Sequence, residues 1–371
     1  MGSYYSNSWM TLIAGLNDHS DGLFGSRYLP EYGPGYYRLP LKAGNEKTLN
    51  FYFTGLNDRL RASKVAKSRK GPDDPLVRQR GWTLQEEVLS GQFLIFEPRQ
   101  TYLCSADGVF HESGHFQGYR SQRYINMVSS LDFVWAGIVS DYTRRQLTYE
   151  MDKLPALSGL AHQRKSQTQD NYAAGLWKES ILHDLAWWTG PDNHLGTPVV
   201  PSRPITYRAP SWSWASIDGP INYRSAWVDL ELNPSKFAPV IVEVSTTTAG
   251  KDPLGQVKDG HIFLQTQYLF KFTLYRKGPL WTFQSRTPMA AWTNTLSSPL
   301  VVGFDVEPSL ETEPNQLIWC LPLRESFCLM LARVEGGDGN VFKRVGAIRG
   351  GRIVDNNISN VGSIKRTLTI V

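Results

Sequence analysis

Cysteine is scarce in this sequence. Cys104, Cys320 and Cys328 are the three in 371 residues, an odd count with no metal-ligand spacing. That argues against a disulfide framework and against Cys-rich zinc modules, and it points to a reducing compartment, the cytoplasm. Long apolar runs are missing too, since none approaches the ~20 residues that span a bilayer. The opening Met1-Gly2-Ser3-Tyr4-Tyr5-Ser6 lacks the basic and then apolar regions of a secretion signal. There is no Gly-rich phosphate loop, no Gly-x-Ser-x-Gly elbow and no His-Glu-x-x-His helix, so the strong enzyme signatures are absent. Nor does one sign of charge dominate: 39 Lys+Arg against 34 Asp+Glu leave a net +5. The densest basic stretch, residues 59–80, has no interleaved Phe or Tyr for base stacking and is interrupted by Gly71-Pro72-Asp73-Asp74-Pro75. It reads as a solvated loop, and no nucleic-acid partner is expected.

Aromatic side chains, by contrast, are plentiful: 12 Trp, 17 Tyr and 16 Phe. They carry two readings, a broad core or a pocket or partner surface lined with rings. With 41% hydrophobic and 20% charged residues the chain is expected to fold.

Pattern along the chain predicts an α+β fold, with a helical middle from about Arg80 to Trp188 followed by an antiparallel β-rich C-terminal region. Ser8-Trp9-Met10-Thr11-Leu12-Ile13-Ala14 reads as a buried strand or a helix tail. Leu49-Asn50-Phe51-Tyr52-Phe53 reads as a strand, and residues 17–40 as a structured loop. Thr83, with Glu86 three residues on, has the spacing of a capping box that starts a helix. Phe93-Leu94-Ile95-Phe96 and Thr101-Tyr102-Leu103-Cys104 look like paired strands. Residues 120–142 carry apolar side chains at three- and four-residue steps, and Pro155 suits the first turn of a helix bearing Leu157, Leu160 and Ala161. A further helix is expected over residues 172–188, with Trp177, Ile181, Leu185 and Trp188 on one face. Ala209-Pro210-Ser211-Trp212-Ser213-Trp214-Ala215-Ser216 alternates, which predicts a strand. Beyond Lys236, alternation around Val240, His261, Phe327 and Thr367 predicts further strands. Three segments follow: 1–118, 119–235 and 236–371.

Several stretches are similar to the downstream motifs of fungal heterokaryon-incompatibility (HET) domain proteins. They include Tyr5-Ser6-Asn7-Ser8 with Asp21-Gly22-Leu23-Phe24, and Arg80-Gly81-Trp82-Thr83-Leu84-Gln85-Glu86, which resembles the motif closing the conserved domain. Asp152-Lys153-Leu154-Pro155-Ala156-Leu157-Ser158-Gly159-Leu160-Ala161, Tyr172-Ala173-Ala174-Gly175-Leu176-Trp177 and Arg208-Ala209-Pro210-Ser211-Trp212-Ser213-Trp214-Ala215-Ser216 follow in the family's order. The family's opening Ser-Tyr-x-Trp-Gly-like strand, Asp-Ser-Leu-Cys-Ile-like strand and acidic helix have no counterpart in the sequence. That part is likened to Toll/interleukin-receptor domains, whose relatives can hydrolyse NAD. The resemblance therefore implies a truncated, non-catalytic component of fungal nonself recognition or cell-death signalling, with signalling proteins or a small molecule as partner. A second class stays open: a cofactor-independent isomerase or cyclase of fungal secondary metabolism, acting in a ring-lined pocket.

For the catalytic reading the candidates are Glu86, His111 and Asp107. Glu86 is either a capping residue or a base beside Arg80 and Trp82. His111 and His115 are four apart, but Gly108, Ser113 and Gly114 argue for a loop, so no metal and no cofactor is expected. Arg80, Trp82, Arg208, Trp212 and Trp214 are the candidate binding residues. In a strand Trp212 and Trp214 would share one face, as core or as a stacking platform. Arg80, Trp82 and Glu86 are expected to form one buried or half-buried network, with Arg80 paired to a carboxylate: Glu86 or Glu87 nearby, or the distant Asp152.

Overall fold

In a computed structural model of the protein, the residues described are 2–14, 36–43, 47–54, 79–96, 101–105, 108–111, 116–117, 131–189, 200–223, 237–277, 280–285, 291–293, 301–306, 316–336, 339–350, 352–354 and 365–371. The chain is α+β with an antiparallel-rich C-terminal region. It divides into two compact units: Met1–Asn126 with Asp192–Pro198, and Met127–Pro191 with Val199–Val371. Among the described residues no helix is long and apolar enough to cross a membrane.

The first unit holds a five-stranded sheet in the order β1-β4-β5-β6-β7. Its strands are β1 (Thr11–Ala14), β4 (Phe93–Phe96), β5 (Thr101–Ser105), β6 (Gly108–His111) and β7 (Phe116–Gln117). A separate hairpin pairs β2 (Tyr36–Ala43) with β3 (Lys47–Thr54), so part of the expected loop over 17–40 is strand. The β4–β5 pair matches its apolar pattern, and β1 joins β4 in parallel. Ile13, Ile95 and Cys104 form the buried centre. The helix Gly81–Leu89 precedes β4, but it does not start with a capping box. Arg80 occupies the N-cap without a side-chain bond, and the Thr83 hydroxyl donates back to the Arg80 carbonyl at 2.7 Å. Residues 59–78 of the basic stretch lie outside the described residues.

In the second unit the helix Leu131–Tyr142 covers the described part of the run expected over 120–142, and Pro155 starts the helix Pro155–Thr168. Leu157, Leu160 and Ala161 are buried on it, as their spacing requires. The helix expected over 172–188 is not there. A two-strand turn, β8 (Tyr172–Ala173) with β9 (Leu176–Trp177), leads into a single helical turn, Ile181–Asp184. Gly175 sits at φ +97°, where a helix cannot continue. The four apolar side chains of the expected stripe are buried nonetheless. The alternating Trp-Ser-Trp is not a strand either. It folds into a turn and the 3-10 segment Trp214–Ser216, because the Ser213 hydroxyl accepts the Ala215 amide at 3.0 Å and caps it.

The C-terminal sheet runs β10 (Val240–Thr248), β11 (Val257–Thr266), β20 (Arg366–Ile370), β18 (Val341–Arg349), β17 (Phe327–Arg333), β16 (Gln316–Arg324), β12 (Phe270–Lys277), β13 (Leu280–Ser285), with β15 (Val301–Phe304) paired to β18; a separate pair joins β14 (Ala291–Thr293) to β19 (Arg352–Val354). It must curl. Four strands separate β11 from β12 in the bonded order, which in a flat sheet would set them about 24 Å apart. Yet Thr266 and Phe270 end and begin these strands, and four Cα steps reach about 15 Å at most. One face of the curled sheet packs Phe270, Phe272, Ile318, Cys320, Cys328, Met330 and Ile348 into a core with Phe237.

Candidate functional site

Glu86 lies half-buried on the helix Gly81–Leu89. Burial, and then the neighbouring Glu86 carboxylate, push the Tyr5 hydroxyl above its ordinary pKa. The helix Gly2–Ser6 packs against the helix that carries Glu86. Nearby, Ser90 Oγ donates to the Glu86 carbonyl at 2.6 Å and lies 2.6 Å from Thr11 Oγ1, which joins β1 to the helix end. Arg80 is exposed, and among the described residues no ion pair joins it to Glu86, so the expected Arg80–Glu86 network does not form. Trp82 is half-buried. Asp107 and His115, and the side chain of His111 at the end of β6, lie outside the described residues.

Arg208, Trp212 and Trp214 belong to the second unit, and all three are buried. Arg208 donates from Nε to the Ala215 carbonyl at 2.7 Å, from Nη1 to the Glu150 carbonyl at 3.2 Å and from Nη2 to Asp218 at 2.9 Å. Lys153 donates to the same carboxylate at 3.2 Å. Burial pushes the Lys153 amine down to about 8, with Asp218 opposing and Arg208 adding to the shift. Burial alone would raise Asp218, but the two cations outweigh it and hold the carboxyl below its usual range. Trp214 donates its indole N–H to the Gly175 carbonyl at 3.0 Å, and Trp135 donates to that same oxygen at 3.0 Å. Ser213 Oγ donates to the Ala174 carbonyl at 2.6 Å. Residues 208–216 thus bond the turn at Gly175 directly and meet Lys153 through the shared Asp218 carboxylate.

A second centre was not legible in the motifs. Arg344 on β18 and Asp305 just after β15 are both fully buried, with Nε 3.0 Å from Oδ2. The guanidinium also donates to the Leu185 carbonyl at 2.8 Å and the Trp187 carbonyl at 2.6 Å, and its carbon lies 3.3 Å from the centre of the Trp187 ring.

The third feature is open to a ligand. A groove of about 480 Å³ lies where β20 parts from β18. Only Thr369 and Ile370 of β20 pair with β18, while Arg366 and Thr367 pair with β11 alone. Trp319, Phe342 and Leu368 supply its apolar lining, and Arg333, Lys365 and Arg366 its charge. The register places Lys271 opposite Trp319 and Arg333 opposite Phe342. Trp319 and Phe342 meet edge to face at 5.8 Å. Arg333 lies 5.4 Å from the Trp319 ring centre and 5.9 Å from that of Phe342, and the Lys271 amine lies 5.1 Å from the Trp319 centre. Among the described residues no carboxylate pairs with Arg333, Lys365 or Arg366. Sequence periodicity had no means of finding this site, because its residues come from strands far apart in the chain. No protein-family model, curated protein or solved structure matches this chain.

Proposed function

We propose that the chain is a HET-like, non-catalytic component of fungal nonself recognition or cell-death signalling, acting in the cytoplasm through other signalling proteins or a small-molecule ligand. One observation carries this reading. The best-anchored residues of the resembling motifs hold the protein together: Arg208 bonds two carbonyls and Asp218, and Trp214 bonds Gly175. A cationic, aromatic groove among the described residues faces solvent, which suits binding. An isomerase or cyclase would need a positioned acid and base, and the described lining of the groove supplies cations, rings and amide or hydroxyl groups instead.

Expression of the chain in a filamentous fungus, with cell death scored after hyphal fusion, tests the reading. The chain should change the death reaction, and Glu86→Gln should leave that effect in place. A chain without effect contradicts the reading. So does an effect lost in Glu86→Gln while the variant melts within a degree or two of the parent.

A further inference from the structure

We infer that the groove between β20 and β18 binds a small ligand carrying clustered phosphates, which gives the recognition reading above a chemical target. Three cations, Arg333, Lys365 and Arg366, line one concavity of about 480 Å³. That is the size of a small-molecule site. Like charges brought together without carboxylates repel one another, so a fold that assembles them leaves a site whose natural complement is a multiply charged anion.

The aromatic side chains explain how the arrangement is held. Arg333 lies near both Trp319 and Phe342, and Lys271 lies near Trp319. A ring quadrupole attracts a cation and orients it while leaving its full charge in place, whereas a carboxylate would cancel it. Arg333 is therefore fixed in direction yet electrostatically unspent. Its fork can bond two oxygens of a phosphate at once, and the flexible Lys365 and Arg366 can close on a second phosphate. Asn340 and Thr367, also in the lining, add polar groups at the edge. A single carboxylate would satisfy only one of the three cations, which is why two or more phosphates fit the site better. Such phosphates can come from a free phosphoanhydride or from a phosphoinositide headgroup, and the chemistry is shared.

Calorimetric titration of the full chain at physiological salt separates the possibilities. The probes are inorganic pyrophosphate, orthophosphate, a single-stranded oligonucleotide, and phosphatidylcholine vesicles with and without phosphatidylinositol bisphosphate. The proposal expects pyrophosphate to bind more tightly than orthophosphate. The Lys365→Glu, Arg366→Glu double variant should weaken that binding about tenfold or more, since charge-assisted bonds are lost. Lys343→Glu provides the control: it is exposed on β18, one residue from Phe342 and so on the opposite face. It should change affinity less than about twofold, the scale of an unpaired surface charge. Binding of the phosphoinositide vesicles alone, with the same variant pattern, upholds the site and identifies a lipid headgroup as the source. Equal weakening in Lys343→Glu, binding of the oligonucleotide alone, or no binding of any probe overturns the proposal. Phosphate release from bound pyrophosphate would overturn the non-catalytic reading while leaving the groove intact.

Discussion

Arg344 and Asp305 face each other with no exposed surface, their charged atoms 3.0 Å apart and the Trp187 ring 3.3 Å from the guanidinium carbon. Burial pushes the Asp305 carboxyl up and the Arg344 guanidinium down, and the attraction between them works against both shifts. The pair joins β18 to the carbonyls of Leu185 and Trp187, so it fixes the segment around Trp187 on the sheet. Asp305→Ala strands a buried cation and should cost about 3–5 kcal/mol, whereas replacing both partners by apolar residues of similar size should cost far less. Denaturant titration of the single and double variants checks this. A single variant as stable as the parent contradicts it.

The Gly175 carbonyl accepts two indole N–H groups, from Trp135 and Trp214. A Cβ on Gly175 would lie 2.7 Å from the Trp214 indole nitrogen, at a φ of +97°. Gly175→Ala should therefore cost at least about 2 kcal/mol, from backbone strain and overpacking together. Trp214→Phe, which removes one of the two donors on that carbonyl, should cost more than Trp177→Phe, because the Trp177 indole N–H has no partner to lose. Trp177→Ala, which removes a fully buried ring, should cost about 3–5 kcal/mol. Melting curves of the four variants rank them, and an unchanged Trp177→Ala would contradict the packing.

Some of this was readable in the sequence and some was not, for physical reasons. Proline at the first turn and apolar three- and four-residue steps gave the helix Pro155–Thr168, two apolar runs across a turn gave β4 and β5, and alternation gave β11 and β17. Residues 172–188 have a helical apolar spacing that a tight turn and one helical turn satisfy equally well, once Gly175 takes its positive φ. The Trp-Ser-Trp alternation misled because Ser213 caps a 3-10 turn with its hydroxyl. Arg344 left one faint signal: it shares a strand face with Phe342, so a charged residue stands at an inward position. Its partner Asp305 lies 39 residues away and carries no periodic mark. The groove is a product of curl and register, which no local pattern encodes.

Lys153 makes stability depend on alkaline pH. The amine is charged in both states below pH about 8. From there to its ordinary 10.5 the folded chain has released a proton that the unfolded chain keeps. The unfolded state binds more protons in this window, so stability rises with pH. The stability of the parent minus that of Lys153→Met should therefore climb by up to about 3 kcal/mol between pH 8 and 10.5. Urea titrations across the window measure it. A difference that is flat or falls contradicts the burial of the charged amine.

In the proposed function this chain recognises and does not react. Nicotinamide release from NAD by the purified protein, followed against time and protein concentration, tests that most directly. The account predicts no release above a heat-inactivated control. Release proportional to protein concentration and abolished in Glu86→Gln, with the fold intact by its melting temperature, would contradict it.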